Sequence, residues 1–280
     1  MQTPTDTDNT AYTPQVSNLV FYLPFAYYYK VRLRTTEKLL SWVLIYLMPT
    51  AWYSWYAAGE LSWLFCINYL FILIAAFTLY ETGYIHNDTF TTRHEKVPTL
   101  RLSEENLRYF YSHCHSIFLS RILTALVLLT ALLILNGFSA QILLTSLSIV
   151  LIPCIFYLYN HCRNKYNVLL YPVLVFSRYI PFMLPYSPSW QLVLLLFLSF
   201  PCCNMLERFS MPKQRFPVFK LLIPTEKSKT YFRIAYYIII LAVLLPFFSI
   251  MQLVPVIILA IYRCLVAILL LFYHPKRYLQ

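Results

Sequence analysis

The chain has 280 residues, 60% of them hydrophobic and only 12% charged, with a formal charge of +11. That charged fraction is about half the ~25% usual in soluble domains, which excludes a soluble globular protein because too little polar surface exists to cover one. The basic residues fall between apolar runs, so nucleic acid is set aside as a partner, and the lipid bilayer and anionic ligands are the readings that the charge supports.

The chain begins with a polar stretch, Met1 to Asn18, carrying Asp6 and Asp8. It lacks the basic and apolar regions of a signal peptide. Residues 1–18 therefore read as a short disordered tail, and 19–280 as a single transmembrane domain. Residues 19–38 form an interfacial segment at its start, aromatic first and then basic at Lys30, Arg32 and Arg34.

A helix needs about 20 apolar residues to cross the hydrocarbon. Eight runs qualify: Leu39–Ala57, Leu61–Tyr80, Ile117–Leu135, Ala140–Tyr159, Asn167–Leu184, Gln191–Leu206, Tyr231–Phe248 and Leu253–Tyr273. Every basic connection lands on one side of this alternation. The other connections, around Gly59, Gly137, Tyr186 and Ser249, contain no Lys or Arg. The prediction is an all-α, multi-pass membrane protein with both termini cytoplasmic. In each half of four spans the connection after the second span is long and charged, which predicts two four-helix halves around a central cavity.

The seven cysteines contain no CxxC spacing, which gives neither a disulfide framework nor a zinc ribbon. His113-Cys114-His115 has spacings that do not share a helix face, so zinc is not expected there.

In the first long connection, Glu81, Asp88 and Glu95 are spaced by seven. On a helix that is about two turns, so the three carboxylates share one face, with Asn87 and Thr91 beside it. Such a stripe suits Mg²⁺, which takes carboxylate oxygens and is completed by substrate phosphates. A solvated helix end paired to Arg93 and Lys96 explains the same spacing equally well.

The second long connection holds Asn204, Glu207, Arg208 and Lys213 in a strongly basic setting. Positive-inside topology accounts for most of these charges, and a phosphate-bearing ligand accounts for them too. Arg178 lies about 16 Å into its span at 1.5 Å per residue, a depth at which charges face a cavity or a partner. Arg263 is similarly deep, whereas Arg121 is near a span end and is expected to snorkel.

Asn87-Asp88 at the end of the second span, followed by Glu95, Lys96 and Pro98-Thr99-Leu100-Arg101, resembles the first motif of the UbiA prenyltransferase superfamily. The usual form is NDxxDxxxD. Asp88 takes its first acidic position, Thr91 stands at the second and Glu95 takes the third. The stretch from Tyr159 through Asn160, Arg163 and Lys165 to Arg178 is similar to that superfamily's junction of helices four and five. The second motif there is an aspartate cluster, and here Asn204, Glu207 and Arg208 hold its place. This is closer to the branch that moves phosphoribose from phosphoribosyl diphosphate to a polyprenyl phosphate. The usual nine spans are eight in this chain.

The resemblance implies a membrane transferase of a bacterial inner membrane, acting on a polyprenyl lipid with a diphosphate-containing donor. It implies Mg²⁺ held by Asp88 and Glu95, with Glu81 as a further ligand or an orienting residue. Asp88, Glu95 and Arg178 are the expected catalytic residues. Asn87, Thr91, Lys96, Arg101, Lys165, Glu207, Arg208 and Lys213 are the expected substrate contacts. The alternatives are a prenyltransferase joining a prenyl diphosphate to an aromatic or other acceptor, and a lipid or small-molecule transporter without catalysis.

Overall fold

A computed structural model describes residues 15–94, 99–162, 167–210, 223 and 226–273. The described residues form helices and connections, with no strand among them. The helices are α1 (Thr36–Trp42), α2 (Met48–Ala58), α3 (Trp63–Thr89), α4 (Glu104–Asn136), α5 (Ala140–His161), α6 (Asn167–Ser177), α7 (Trp190–Ser199), α8 (Pro201–Ser210), α9 (Glu226–Leu244) and α10 (Ile250–Tyr273). Their starts follow capping chemistry. Thr35, Ser62, Ser103, Ser139 and Ser189 each accept a backbone N–H from the first turn of the helix that follows. Gly59 and Gly137 end α2 and α4 at positive φ.

By length and composition α3, α4, α5 and α10 are each able to cross a membrane. The pair α7 and α8 makes a fifth if the two are taken as one span bent by 46°. The first, fifth and sixth runs are helical but interrupted, and the seventh is unbroken but opens on charged residues. The fifth run stops being α-helical at Ser177, because Pro181 and Pro185 lack the N–H that would continue it. The bend of the sixth falls at Pro201 for the same reason. The seventh is α9, whose first two turns carry Glu226, Lys227, Lys229 and Arg233.

The first run is α1 and α2 joined by a π-helical turn, Val43–Leu47. Pro49 cannot donate to the carbonyl of Ile45, and that carbonyl accepts the Tyr179 hydroxyl at 2.9 Å. The Tyr46 hydroxyl in turn donates to the Arg178 carbonyl at 3.0 Å. The turn thus ties the first run to the chain just beyond α6.

Contacts run from α3 to α5, α6 and α8, then return through α7 and α2 to α3. One end of this circuit gathers the polar connections. There Asn160 donates to the Gly83 carbonyl, Arg208 to the Tyr159 hydroxyl and Arg233 to Glu207. The connections without Lys or Arg gather at the other end, where Asn68 bonds Asn136, Trp52 bonds the Met251 carbonyl and Phe65 meets Tyr186. Among the described residues the polar connections and the uncharged ones thus make separate sets of contacts.

α3 has 27 residues, about 40 Å at 1.5 Å each against a hydrocarbon core of ~30 Å, so its last turns stand beyond a bilayer's apolar layer. Residues 17–33 pack there, burying Phe21, Tyr27 and Val31 against Ile85, Leu102, Phe110 and Ile117. Arg121 fastens this segment. Far from snorkelling, its side chain is fully buried and donates to the carbonyls of Phe21, Val20 and Leu23 and to Glu81. Glu81 also accepts the N–H groups of Phe25 and Tyr28, at 3.0 and 2.7 Å. Phe25 has φ 65°, a conformation uncommon for a non-glycine residue, and the Glu81 bond holds it there.

Candidate anion-binding site

Two turns beyond Glu81 on α3, the Asp88 carboxylate is buried under basic and hydroxyl donors. Its Oδ1 accepts from Arg32 at 2.6 Å, Arg101 at 3.2 Å and Asn87 at 3.2 Å. Its Oδ2 accepts from the Tyr27 hydroxyl at 2.9 Å. Burial, reinforced by the adjacent Asp88 charge, pushes the Tyr27 phenol well above its ordinary range, so it stays protonated and donates. Arg34 reaches across to the Arg101 carbonyl at 3.0 Å and braces the same corner. Thr91 and Thr92 are buried on the following turn.

A carboxylate has about two acceptor sites on each oxygen, and those of Asp88 face three donors on Oδ1 and one on Oδ2. Mg²⁺ needs oxygen ligands at about 2.0–2.1 Å in octahedral order, which this crowd of cationic and hydroxyl donors does not offer. Glu81 is similarly engaged by Arg121 and two backbone N–H groups. Among the described residues no group of three or more His, Cys, Asp or Glu stands where it could hold a metal. The surroundings of Asp88 therefore do not fit a divalent cation. With two guanidinium groups to one carboxylate, they fit an anion. Glu95, Lys96, Lys165 and Lys213 lie outside the described residues.

Arg178 follows the last residue of α6, where the helix's partial negative charge favours a cation. Its side chain is buried, and its guanidinium carbon lies 5.2, 5.1 and 5.4 Å from the ring centres of Tyr46, Tyr80 and Tyr179. Its Nε has no hydrogen-bond partner. Two nearby spans carry acids, and both are engaged elsewhere, Glu81 by Arg121 and Glu207 by Arg233. Among the described residues no carboxylate pairs with Arg178.

Rings link this arginine to two others. Arg32 lies 4.5 Å over Tyr84, and Tyr84 meets Tyr80 edge-on at 5.1 Å. Arg208 lies 5.2 Å over Tyr171 and donates to the Tyr159 hydroxyl at 3.0 Å. Phe156 bridges the groups, contacting Tyr80, Tyr84 and Tyr159. This bridge depends on Gly83, because a Cβ there would collide with the Phe156 ring. Beside the site, between α5, α6 and α7, lies an apolar groove of about 370 Å³, open at the surface and walled by Leu151, Ile155, Pro172, Phe176 and Phe197, with Ser177 in its wall.

The structure thus brings Asn87, Asp88 and Arg101 together, and connects Arg178 to Arg208 through tyrosines. It places Glu207 apart from Asp88, in a two-pronged pair with Arg233 at 2.6 and 2.7 Å. Arg233 and Tyr27 were not among the expected site residues. A charge at the third position of an apolar run was the available signal for Arg233. Tyr27 carried only the signal of an unusually tyrosine-rich chain, with 25 in all. The charge is also unevenly placed. Residues 1–139 hold nine basic and nine acidic side chains, and residues 140–280 hold thirteen and two. No protein-family model, curated protein or solved structure matches the chain.

Proposed function

We propose that the chain is a membrane-embedded transferase that moves a phosphoribosyl or similar sugar-phosphate group from an activated diphosphate donor to polyprenyl phosphate. Arg178 is the observation that carries this reading. A buried guanidinium without a counter-charge costs several kcal/mol, and a phosphate-bearing ligand supplies that counter-charge. The tyrosine rings around Arg178 add cation–π stabilisation without neutralising it. The likeness of Asn87-Asp88 and the Arg178 region to the UbiA superfamily supports the same class, including its two-halved, eight-span layout in a bacterial inner membrane with cytoplasmic termini.

In the reaction the bond from the sugar's anomeric carbon to the diphosphate oxygen breaks, and diphosphate leaves with the electron pair. An oxygen of the lipid phosphate forms the new bond at that carbon. Arg32, Arg101, Arg178 and Arg208 oppose the charge that develops on the leaving diphosphate. Asp88 holds Arg32 and Arg101 in place. The aromatic walls exclude water from the electrophilic carbon, and the apolar groove beside Ser177 accommodates part of the lipid chain.

The test is mass spectrometry of lipids after incubating purified protein with polyprenyl phosphate and candidate donors. A polyprenyl-phosphate product enlarged by a sugar phosphate is the expected result. A prenylated acceptor formed only from a prenyl diphosphate would place the chain among the prenyltransferases, and no product from any donor favours a transporter.

A further inference from the structure

α10 turns one stripe inward. Leu253, Val256 and Leu259 are fully buried, and Arg263 continues the stripe one turn further, only 7% exposed. Its Nε has no hydrogen-bond partner, and among the described residues no carboxylate pairs with it. Its guanidinium carbon lies 5.0 Å from the ring centre of Tyr262. The same end of α10 packs against α8 and α9, where Val256 and Leu259 share one cluster with Cys203 and Tyr237 and Tyr262 lies against it, and Cys203 in turn meets Glu207.

Glu207 does not serve as the counter-ion of Arg263. Arg233 holds Oε1 and Oε2 at 2.6 and 2.7 Å, and the Cys203 thiol donates to Oε1 at 3.7 Å. From residue 140 onward the sequence contains only two acids, Glu207 and Glu226. Among the described residues, α8, α9 and α10 thus bring together two guanidinium groups, Arg263 buried and Arg233 partly exposed, against one carboxylate that Arg233 already holds. A charge at such depth persists where it meets a partner or a ligand, and the fork of an arginine matches phosphate oxygens.

We propose that Arg263, with Arg233 beside Glu207, forms a second anion subsite that takes a phosphate or diphosphate group, separate from the ring-lined position of Arg178. Its role rests on the transferase reading, in which donor and lipid acceptor both carry phosphate and need separate cations. Its binding does not depend on that reading.

The experiment uses the purified full chain in phosphatidylcholine nanodiscs. Titration with inorganic pyrophosphate tests a free ligand, and nanodiscs with added polyprenyl phosphate test a lipid headgroup. With at least one of these ligands, Arg263→Gln is expected to remove one of two binding equivalents or weaken it on the order of tenfold. Arg178→Gln should affect the other equivalent. Arg263→Met should raise the unfolding temperature in phosphate-free buffer, because it removes an uncompensated buried charge, and should abolish ligand-induced stabilisation at this subsite. Wild-type stoichiometry and affinity in Arg263→Gln, or a lowered unfolding temperature for Arg263→Met, would overturn the proposal. Two binding equivalents without group transfer to polyprenyl phosphate would sink the transferase reading and leave the subsite standing.

Discussion

Arg121 and Glu81, on neighbouring helices and forty residues apart, meet at 2.8 Å with neither side chain exposed. The pair also gathers the carbonyls and N–H groups of residues 20–28, so it fixes the N-terminal segment over the end of α3. Removing one partner leaves the other charged and buried, a loss of roughly 3–5 kcal/mol. Glu81→Leu and Arg121→Met should each destabilise the protein to that extent and expose Lys30–Arg34 to trypsin. The double variant should lose clearly less than the sum. Unfolding in detergent checks this, and single losses that add within about 0.5 kcal/mol would show that the pair is not coupled.

Asp88 is surrounded by donors, and an anion approaching Arg32 and Arg101 is repelled by its carboxylate. Asp88→Asn should therefore bind inorganic pyrophosphate no more weakly than the wild type, with EDTA present. Titration calorimetry in EDTA distinguishes this from a metal-ligand role, in which wild-type binding itself disappears when the metal is removed.

Gly83 lets Phe156 lie directly on α3, and the ring chain from Tyr84 to Tyr159 passes through that contact. Gly83→Val should cost at least the ~1–3 kcal/mol typical of overpacking, and Phe156→Ala in the same chain should recover part of it. Thermal unfolding of the three variants reads the effect. Equal stability of Gly83→Val and the wild type would mean that α3 and α5 do not approach as closely as described.

Membrane character and most helix positions were legible in the sequence, because apolar length derives from the bilayer. The seven-residue spacing of Glu81 and Asp88 was legible as a shared face, but not its chemistry. Spacing along one helix cannot reveal which residues arrive from elsewhere, and Arg32, Arg101 and Arg121 do. The same holds for Arg121 itself, whose place near a span end read as surface until residues 17–33 covered it. Pro181 and Pro201 were visible, yet hydropathy averages over them, so the break after Ser177 and the bend at α8 were not anticipated.

The proposed topology puts Ser103 and Lys213 on the cytoplasmic side. Single cysteines at these positions, in a cysteine-free background, should react with an impermeant maleimide only after the inner face is opened. Reaction of either from outside would remove the shared face on which the site depends.

The most direct measurement of the central claim follows label from phosphoribosyl diphosphate into polyprenyl phosphate, in wild type, Arg178→Gln and Arg178→Lys. The account predicts labelled lipid with the wild type. It predicts a loss on the order of tenfold or more with Arg178→Gln, in line with a charge-assisted contact, and partial recovery with Arg178→Lys. Undiminished transfer by a well-folded Arg178→Gln, or labelled product only from a prenyl diphosphate, would contradict it.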